Sequence, residues 1–400
     1  MKSPLTHVGR GVRSAAVATA LGLLLGFSHD AMAADPYDIY VVAPLTGNNA
    51  FSGNAAKEGL AALQTVTNAN GGIKGRPVNF VYLDTQSSPQ TAVQLTNDIV
   101  AKKPPLFIGD LSVAGCNAMA PLVEKQGPVE FCLSPGYRPV KGGYIYTLGL
   151  PAIEQIKVVF RFLRENNLNR IALLVGTDAT GRLAEPEFAT VAGLPENRET
   201  QLVTVEHFNP TDVTIAAQVA RIRAANAQAV IIWVNGSPFG TAVRSMKDAG
   251  MQLPVVAVTG NLSYTELHTF ADALPNQLYF TWTAVPASDQ PVPNGPLKNA
   301  QTAYSQTFKK IGVKPEYGQA AAWDTGVVAI SALRAVGTDA SPDQVRNYVN
   351  ALHDLPGVQA MYDFRSGDMR GVPNDAARML QWDKSKETWF IVSGPGGAKR

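Results

Sequence analysis

Short apolar runs alternate with amphipathic helical patterns through most of the chain, and this alternation constrains the fold more than any other feature of the sequence. Ten of the runs have the length and composition of buried strands. They cover residues 39–42, 78–83, 106–108, 129–132, 144–148, 170–175, 202–205, 229–234, 255–258 and 278–282. Alternation of strand and helix predicts a parallel α/β architecture, and ten strands exceed what one ordinary sheet needs.

The segments between these runs carry apolar residues at spacings of three and four, for example Ile156, Phe160 and Leu163. Each stripe can pack a helix against a sheet. The simplest arrangement is two doubly wound lobes, the first ending near residue 150 and the second near residue 282. After a proline-rich stretch, the sequence predicts helices over 297–311, 320–335 and 342–352, then short strand-like runs within 358–392.

The N-terminus has the three parts of a secretory signal peptide. Basic residues precede an apolar stretch at 15–27, and Ala-Met-Ala at 31–33 matches a cleavage site. A membrane anchor is the alternative, but about 13 apolar residues are too few for a bilayer that requires about 20. We therefore expect residues 1–33 to be removed during export, and the mature protein to be located in the periplasm.

Removal of residues 1–33 would leave 31 basic and 31 acidic residues, because that segment holds three of the 34 basic and one of the 32 acidic residues. A balanced charge does not favour nucleic acid or an anionic membrane surface as partners, since both are bound through basic patches. No later apolar run approaches the length of a membrane span, so we predict a soluble exported protein.

Both cysteines, Cys116 and Cys132, lie in the mature part. In an oxidising compartment an isolated pair most often forms a disulfide, and a closed loop of about 15 residues contributes roughly 3 kcal/mol. Two buried free thiols are the alternative. A metal site has less support, because His207, His268 and His353 are not paired at ligand spacing. We expect no metal.

In open α/β sheets, ligands bind where loops leave the carboxyl ends of the strands. In this chain those loops are small, hydroxylated and rich in glycine, which suits backbone and hydroxyl donors that contact a small anion. They cover residues 44–47, 109–115, 133–138, 176–181, 235–238 and 259–261.

The sequence lacks the usual enzyme motifs. The first loop, 44–53, has no G-x-G-x-x-G, no P-loop sequence occurs, and the serine in 236–240 follows its glycine directly, unlike G-x-S-x-G. A Ser/His/Asp triad has little support with three scattered histidines. Asp84 and Asp178 can form a carboxylate pair, but a lone aspartate after a strand more often caps the next helix. We predict neither an enzyme nor a bound cofactor.

The segment 68–78, Asn-Ala-Asn-Gly-Gly-Ile-Lys-Gly-Arg-Pro-Val, closely resembles the N-x-x-G-G-I-x-G turn of the leucine/isoleucine/valine-binding protein family. Gly71 and Gly72 would end the first helix, and Gly75 would allow a tight reversal into the second strand. The resemblance covers essentially the whole mature chain. Further matches, in family order, are 44–47, 108–109, Ser134-Pro135, Gly181-Arg182 and 212–234.

This resemblance implies a type I periplasmic binding fold, in which two doubly wound lobes joined by three crossings close around a small molecule. Lobe 1 would contain residues 34–149 and 285–368, and lobe 2 residues 150–284 and 369–400. The resemblance also implies a monomeric extracytoplasmic solute-binding protein that delivers its ligand to an ABC transporter permease. The crossings would lie near 148–151, 282–286 and 364–372.

The ligand contacts of the family fall on the loops named above, with the ligand carboxylate bound after the strand at 106–108. The corresponding positions are Ser112, Val113, Ala114, Ser134, Gly136, Tyr137 and Arg138 in the first lobe, and Thr180, Ser237 and Thr259 in the second. Phe51, at the entrance of the first helix, either lines the cleft or packs against the helix.

Thr259 falls near the position where the family has an acid that holds an amino acid's ammonium group, and threonine cannot form that ion pair. A buried ammonium without a charged partner costs several kcal/mol. We therefore expect an aromatic or aliphatic carboxylate without an α-amino group, with Tyr137 as an aromatic wall and Arg138 as a charged fork. Asp178 keeps amino acids open as ligands, and Arg138 can instead be a solvated surface charge.

Two other functions remain open at this point. The same lobes can serve a ligand-sensing subunit of a membrane receptor, because the sequence does not identify the partner. An exported hydrolase on a related fold has less support, and turnover of an ester or amide would distinguish it from a binding protein.

Overall fold

The computed structural model describes residues 35–283 and 294–400, together with Met1. The signal peptide predicted at 1–33 and much of the crossing predicted at 282–286 lie outside the described residues. Met1–Asp35 and Pro36–Arg400 are separate units, and the description below concerns the second. In the described part of the chain, no helix has the length and apolar character needed to cross a membrane.

The first sheet is fully parallel, in the order β2-β1-β3-β4-β5. Its strands are β1 (Tyr37–Ala43), β2 (Val78–Asp84), β3 (Leu106–Ile108), β4 (Val129–Phe131) and β5 (Ile145–Tyr146). This is a doubly wound order: the chain runs outward from β1 to β2 in one direction and from β3 to β4 and β5 in the other. The crevice between the carboxyl ends of these two strands is where such sheets bind ligands.

The second sheet repeats this order in its parallel part and adds a hairpin. Its first five strands are β6 (Arg170–Gly176), β7 (Gln201–Phe208), β8 (Ala229–Trp233), β9 (Val255–Ala257) and β10 (Leu278–Trp282). A separate ribbon, β11 (Leu355–Pro356) and β12 (Met361–Tyr362), precedes the hairpin, which is β13 (Arg378–Asp383) and β14 (Thr388–Ile391). The order is β14-β13-β10-β9-β8-β6-β7, with β13 antiparallel to β10, so the ligand crevice lies between β6 and β8.

Helices cover both faces of each sheet. They are α1 (Ala50–Ala69), α2 (Pro89–Ala101), α3 (Val113–Val123), α4 (Ala152–Glu165), α5 (Ala179–Ala192), α6 (Ala216–Ala224), α7 (Ser237–Asp248), α8 (Tyr264–Thr269), α9 (Pro296–Ile311), α10 (Tyr317–Val336) and α11 (Pro342–Ala351). Successive residues of β6 are buried in different hydrophobic clusters. Leu173 belongs to one cluster and Leu174 to the other. Such strands are apolar at every position, which explains the continuous runs in the sequence.

The prediction of two doubly wound parallel-sheet lobes is confirmed, and each of the ten predicted runs contains a strand. We call the first sheet with its covering helices the first lobe, and the second sheet with its helices the second lobe. The boundaries at residues 149, 284 and 368 stay a prediction.

Most strands match the predicted runs to within one residue at each end, but β5 and β7 depart further from the prediction. β5 covers only Ile145–Tyr146, because the N–H of Thr147 leaves the sheet and donates to the carbonyl of Met369 (3.0 Å). β7 continues to Phe208. It lies at the edge of its sheet, where only Glu206 and Phe208 are buried, so its pattern is less apolar than that of the central strands.

Candidate functional site

Cys116 and Cys132 form a disulfide with a Cα–Cα distance of 6.0 Å, which confirms the predicted bond. It joins the first turns of α3 to the end of β4. These elements lead into the two loops of the first lobe that carry most of the predicted ligand contacts. Glu130 also lies here, its carboxylate within 4.8 Å of both sulfurs, but the sulfurs are bonded to each other.

A cavity of about 240 Å³ lies between the two lobes, at the carboxyl ends of both sheets. Several helices have their N-terminal turns at this cavity. The lining includes Asn48, Asn49 and Ser52 (α1), Ser112, Val113 and Ala114 (α3), Ala152 and Gln155 (α4), Asp178, Ala179 and Thr180 (α5), and Pro238 (α7). Helix N-termini present unpaired backbone N–H groups and the positive end of the helix dipole, which favours an anion in the cavity.

The first-lobe side of the cavity is built around the N-terminus of α3. Ser112 caps this helix, its Oγ accepting a hydrogen bond from the N–H of Gly115 (2.9 Å). Oδ1 of Asp110 accepts one from the N–H of Ser112 (2.6 Å). A Cβ at Gly136 would lie 2.8 Å from Cγ2 of Val113, so glycine allows the second loop to approach the helix. The N–H groups of Val113 and of the next residue remain for a ligand.

The second-lobe side is held by aspartate and amide side chains. Asp178 caps α5 through the N–H of Gly181 (2.9 Å), and burial raises the pKa of its carboxyl against this hydrogen bond. Asn261 fixes the loop before α7, since its Oδ1 accepts from the N–H of Gly236 (2.9 Å) and its Nδ2 donates to the carbonyl of Val234 (2.8 Å). The loops at this side are therefore positioned by hydrogen bonds alone.

An ion pair crosses the rim between the lobes. Nη2 of Arg138 lies 2.5 Å from Oε1 of Glu187 and donates to the carbonyl of Leu183 (2.6 Å), both on α5. Burial raises the pKa of Glu187, and the charge of Arg138 opposes that shift. Arg138 is half exposed, so it occupies the cavity rim and the protein surface at once.

Apolar groups form the rest of the wall. Leu111, Leu183, Ala184, Val258 and Trp233 all line the cavity. Trp233 is also a core residue, with its ring 5.0 Å from that of Phe188 in an edge-to-face arrangement. A small cavity with apolar walls and a few polar groups is the usual form of a small-molecule site.

The structure brings eight of the predicted ligand-binding residues to this cavity and places four others elsewhere. The eight are Ser112, Val113, Ala114, Ser134, Gly136, Arg138, Asp178 and Thr180. Phe51 lines a separate groove beside α8, and Tyr137 is buried in the core behind the disulfide. Ser237 is exposed at the start of α7. The cavity wall leaves out these three residues and Thr259.

Thr259 is fully buried, with its Oγ1 2.6 Å from Oε1 of Gln155 and 2.7 Å from the carbonyl oxygen of Thr281. It supports the wall from behind, whereas its neighbour Gly260 reaches the cavity. This loop therefore contributes no charged group to the cavity.

Sequence reasoning missed several lining residues, among them Gln155, Glu187, Tyr317 and Arg370. Gln155 and Glu187 lie within helices, and a polar residue on the apolar face of α4 was the available signal for Gln155. Tyr317 begins α10, with its hydroxyl donating to the carbonyl of Leu133 (3.3 Å). Arg370 comes from the segment 364–372, where the third crossing is predicted, and the rule about strand ends does not cover it.

A family model described as periplasmic binding protein matches residues 36–387. The chain is 24% identical over 373 residues to the leucine-, isoleucine-, valine-, threonine-, and alanine-binding protein of Pseudomonas aeruginosa, covering 90% of this chain and 94% of that one.

Solved structures agree at the level of the fold. An extracellular ligand-binding receptor from Rhodopseudomonas palustris superimposes with a TM-score of 0.78 at 16% identity, covering 90% of this chain and all (100%) of that chain. The branched-chain amino acid transporter substrate binding protein LivJ from Streptococcus pneumoniae, in complex with isoleucine, gives a TM-score of 0.73 at 19% identity, covering 89% and 99%. Because the family model spans nearly all of the second unit, the chain belongs to the periplasmic binding protein family.

Proposed function

We propose that this protein is an extracytoplasmic solute-binding protein that captures a small carboxylate between its lobes and delivers it to the permease of an ABC transporter. The observation that carries the proposal is the cavity itself, enclosed by the ligand crevices of two doubly wound sheets. Family membership supports solute binding rather than catalysis. It also supports a periplasmic location, which an exported chain with a cleaved signal peptide would reach.

The polar part of the cavity supports a carboxylate. The N–H groups of Val113 and Ala114 begin α3 and have no partner within the helix. The hydroxyl-bearing Ser134 and the backbone of Gly136 lie on the adjoining loop. A carboxylate at this point would accept hydrogen bonds from uncharged donors and meet the favourable end of a helix dipole.

Whether the ligand also carries an ammonium group depends on the second lobe. The loop at 258–261 supplies only Val258 and Gly260 to the wall, so it offers no acid. This supports an aromatic or aliphatic acid without an α-amino group, whose body would lie against Trp233 and Leu183. Asp178 is the group that would hold an ammonium, and the names of the relatives keep an amino acid as the alternative ligand.

A thermal-shift screen of the purified exported protein tests the proposal with two panels. One panel holds leucine, valine and other amino acids, and the other holds benzoate, 4-hydroxybenzoate, hexanoate and similar acids. A ligand at a hundredfold excess over its Kd adds about 2.7 kcal/mol of stability, enough to move the melting curve. We expect a shift with the second panel only.

The outcomes separate the alternatives. A shift with leucine or valine would mean that Asp178 or another group holds the ammonium, and the ligand would be an amino acid. No shift with either panel would contradict capture of a small carboxylate. Delivery is tested separately, by uptake of the labelled ligand into cells with and without the gene for this protein.

A further inference from the structure

A tight turn on the third crossing holds Arg370 toward the interior of the protein. Oδ1 of Asp368 accepts hydrogen bonds from the N–H groups of Arg370 (2.8 Å) and Gly371 (3.0 Å). Met369 and Gly371 have positive φ values of 61° and 66°. The carbonyl of Met369 accepts from the N–H of Thr147 (3.0 Å), so the turn is anchored to the strand that leads into the first crossing.

The guanidinium of Arg370 connects two crossings with a loop of the cavity. Its Nη1 donates to the carbonyls of Pro135 (3.0 Å) and Gly149 (2.9 Å), and its Nη2 donates to the carbonyl of Tyr137 (2.5 Å). These bonds use three of the five donor hydrogens. Nε–H and one hydrogen of Nη2 have no acceptor among the residues that the structure describes.

The charges of Asp368 and then Glu187 act on Arg370 most strongly among the acids, but neither carboxylate forms an ion pair with its guanidinium. The side chain is buried, with 8% of the residue exposed, and within residues 35–283 and 294–400 no carboxylate oxygen lies within 4.0 Å of it. Burial lowers its pKa to about 10, so it stays protonated at neutral pH. Backbone carbonyls satisfy donors but carry no net charge, and a buried charge without an ion-pair partner is destabilising.

The cavity is where a partner can reach this charge. Arg370 lines it, next to Pro135 and Gly136. Among the acids of the second lobe, Glu187 has the strongest electrostatic effect on Arg370. However, Oε1 of Glu187 already pairs with Nη2 of Arg138 at 2.5 Å. We propose that Arg370 is the cationic partner of the ligand's carboxylate and restricts the cavity to anions; this inference rests on the proposed function.

The proposal makes Arg370 a specificity-determining residue. A carboxylate that reaches it pairs with the buried charge and accepts from the two free donors. A primary amide of the same shape presents no charge and leaves Arg370 unpaired, so it binds more weakly. Because Arg370 lies in the predicted third crossing and bonds to Gly149 in the predicted first crossing, the ligand's anion would lie against segments expected to act as the hinge.

The experiment compares benzoate with benzamide and hexanoate with hexanamide, by calorimetric titration of the full exported protein. The variants are Arg370→Met, which removes the charge, and Arg370→Lys, which keeps it. Arg334→Gln is the matched control, because Arg334 also makes a long-range bond to a carbonyl, that of Gly72 (2.9 Å), away from the cavity. Melting temperatures without ligand report the structural cost of each change.

We expect the wild type and Arg334→Gln to favour the carboxylate strongly over its amide. Arg370→Met should lose at least about 30-fold in carboxylate affinity and most of this preference, as expected when one partner of a buried charge pair is removed. Arg370→Lys should retain the preference, although both variants lose carbonyl hydrogen bonds and melt at lower temperatures.

Two results would overturn the inference. Equal losses of carboxylate affinity in Arg370→Lys and Arg370→Met would show that Arg370 only holds the loop. An unchanged preference in Arg370→Met would place the counter-charge elsewhere while capture of a carboxylate stood. If the wild type bound neither benzoate nor hexanoate, this inference would fail for acids without an amino group, whereas capture of a small carboxylate as such fails only if neither panel of the thermal-shift screen binds.

Discussion

The two lobes have the same strand order in their parallel sheets but fix their cavity loops in different ways. In the first lobe, the Cys116–Cys132 disulfide and the buried carboxyls of Asp110 and Glu130 lie beneath the loops. In the second lobe, Asn261 and Thr259 hold the loops through hydrogen bonds between uncharged groups. One topology can therefore hold its loops with a disulfide in one lobe and with side-chain hydrogen bonds in the other.

This difference matters for the ligand. The first lobe presents helix donors and Arg138, with its own acids buried below the wall. The second presents Asp178 and Glu187 beside apolar side chains. An anion has its donors on one side of the cavity, and the apolar body of the ligand has its contacts on the other.

The largest effect should follow loss of the disulfide. The double variant Cys116→Ser and Cys132→Ser removes the bond that closes a loop between residues 16 positions apart. We expect its free energy of unfolding to be about 3 kcal/mol lower than that of the wild type. Urea unfolding of the variant and of the oxidised and reduced wild type measures this. The reduced wild type should match the variant. A loss below about 1 kcal/mol would mean that the covalent bond is not what stabilises the first-lobe loops.

A smaller effect is expected at the corresponding support of the second lobe. Asn261→Ala leaves the N–H of Gly236 and the carbonyl of Val234 without their partner, and we expect a loss of about 2 kcal/mol. The control is Asn79→Ala, whose amide bonds to Asp38 at the surface and which should change stability little. Equal losses in the two variants, measured by urea unfolding, would contradict the role given to Asn261.

A change of opposite sign is expected from Glu130→Gln. Burial raises the pKa of Glu130 well above its usual range, and the charge of Asp110 raises it further; neither carboxylate oxygen of Glu130 has a hydrogen-bond partner. The folded state therefore holds this proton more tightly than the unfolded chain. Its contribution is fully present below the unfolded pKa and is lost as the pH rises through the folded one.

Glu130→Gln should therefore match the wild type in stability at pH 4 and exceed it at pH 8, as measured by thermal unfolding across that range. Asp110, which is also buried and has a raised pKa, remains in both proteins, so the comparison reports the loss of the Glu130 carboxyl together with its electrostatic coupling to Asp110. A variant less stable than the wild type at pH 8 would show that ionised Glu130 is stabilised by a partner.

Much of the fold was predictable because burial on both sheet faces makes central strands apolar at every position. The run at 106–108 coincides with β3 and that at 278–282 with β10. The weak element was β5, which ends early because Thr147 bonds to the third crossing. No local pattern contains that long-range contact.

The site was predictable where it follows from strand ends and helix starts. Ser112 and Asp178 cap their helices beside the cavity, as a polar residue after a strand often does. Tyr137 and Thr259 were assigned to the same loops but point away from the cavity, because the direction of a loop side chain depends on packing behind it.

The sequence by itself determined the α/β class, the two lobes, the cysteine pair and the loops that carry a ligand site, because strand periodicity, helix capping and family motifs are local. Only the tertiary structure decided which loop residues face the cavity, that Arg138 pairs with Glu187 across the rim, and that Arg370 reaches the cavity from a segment far along the chain. The physical reason is that burial and charge pairing depend on segments that are distant in the chain and meet only when the two lobes are assembled.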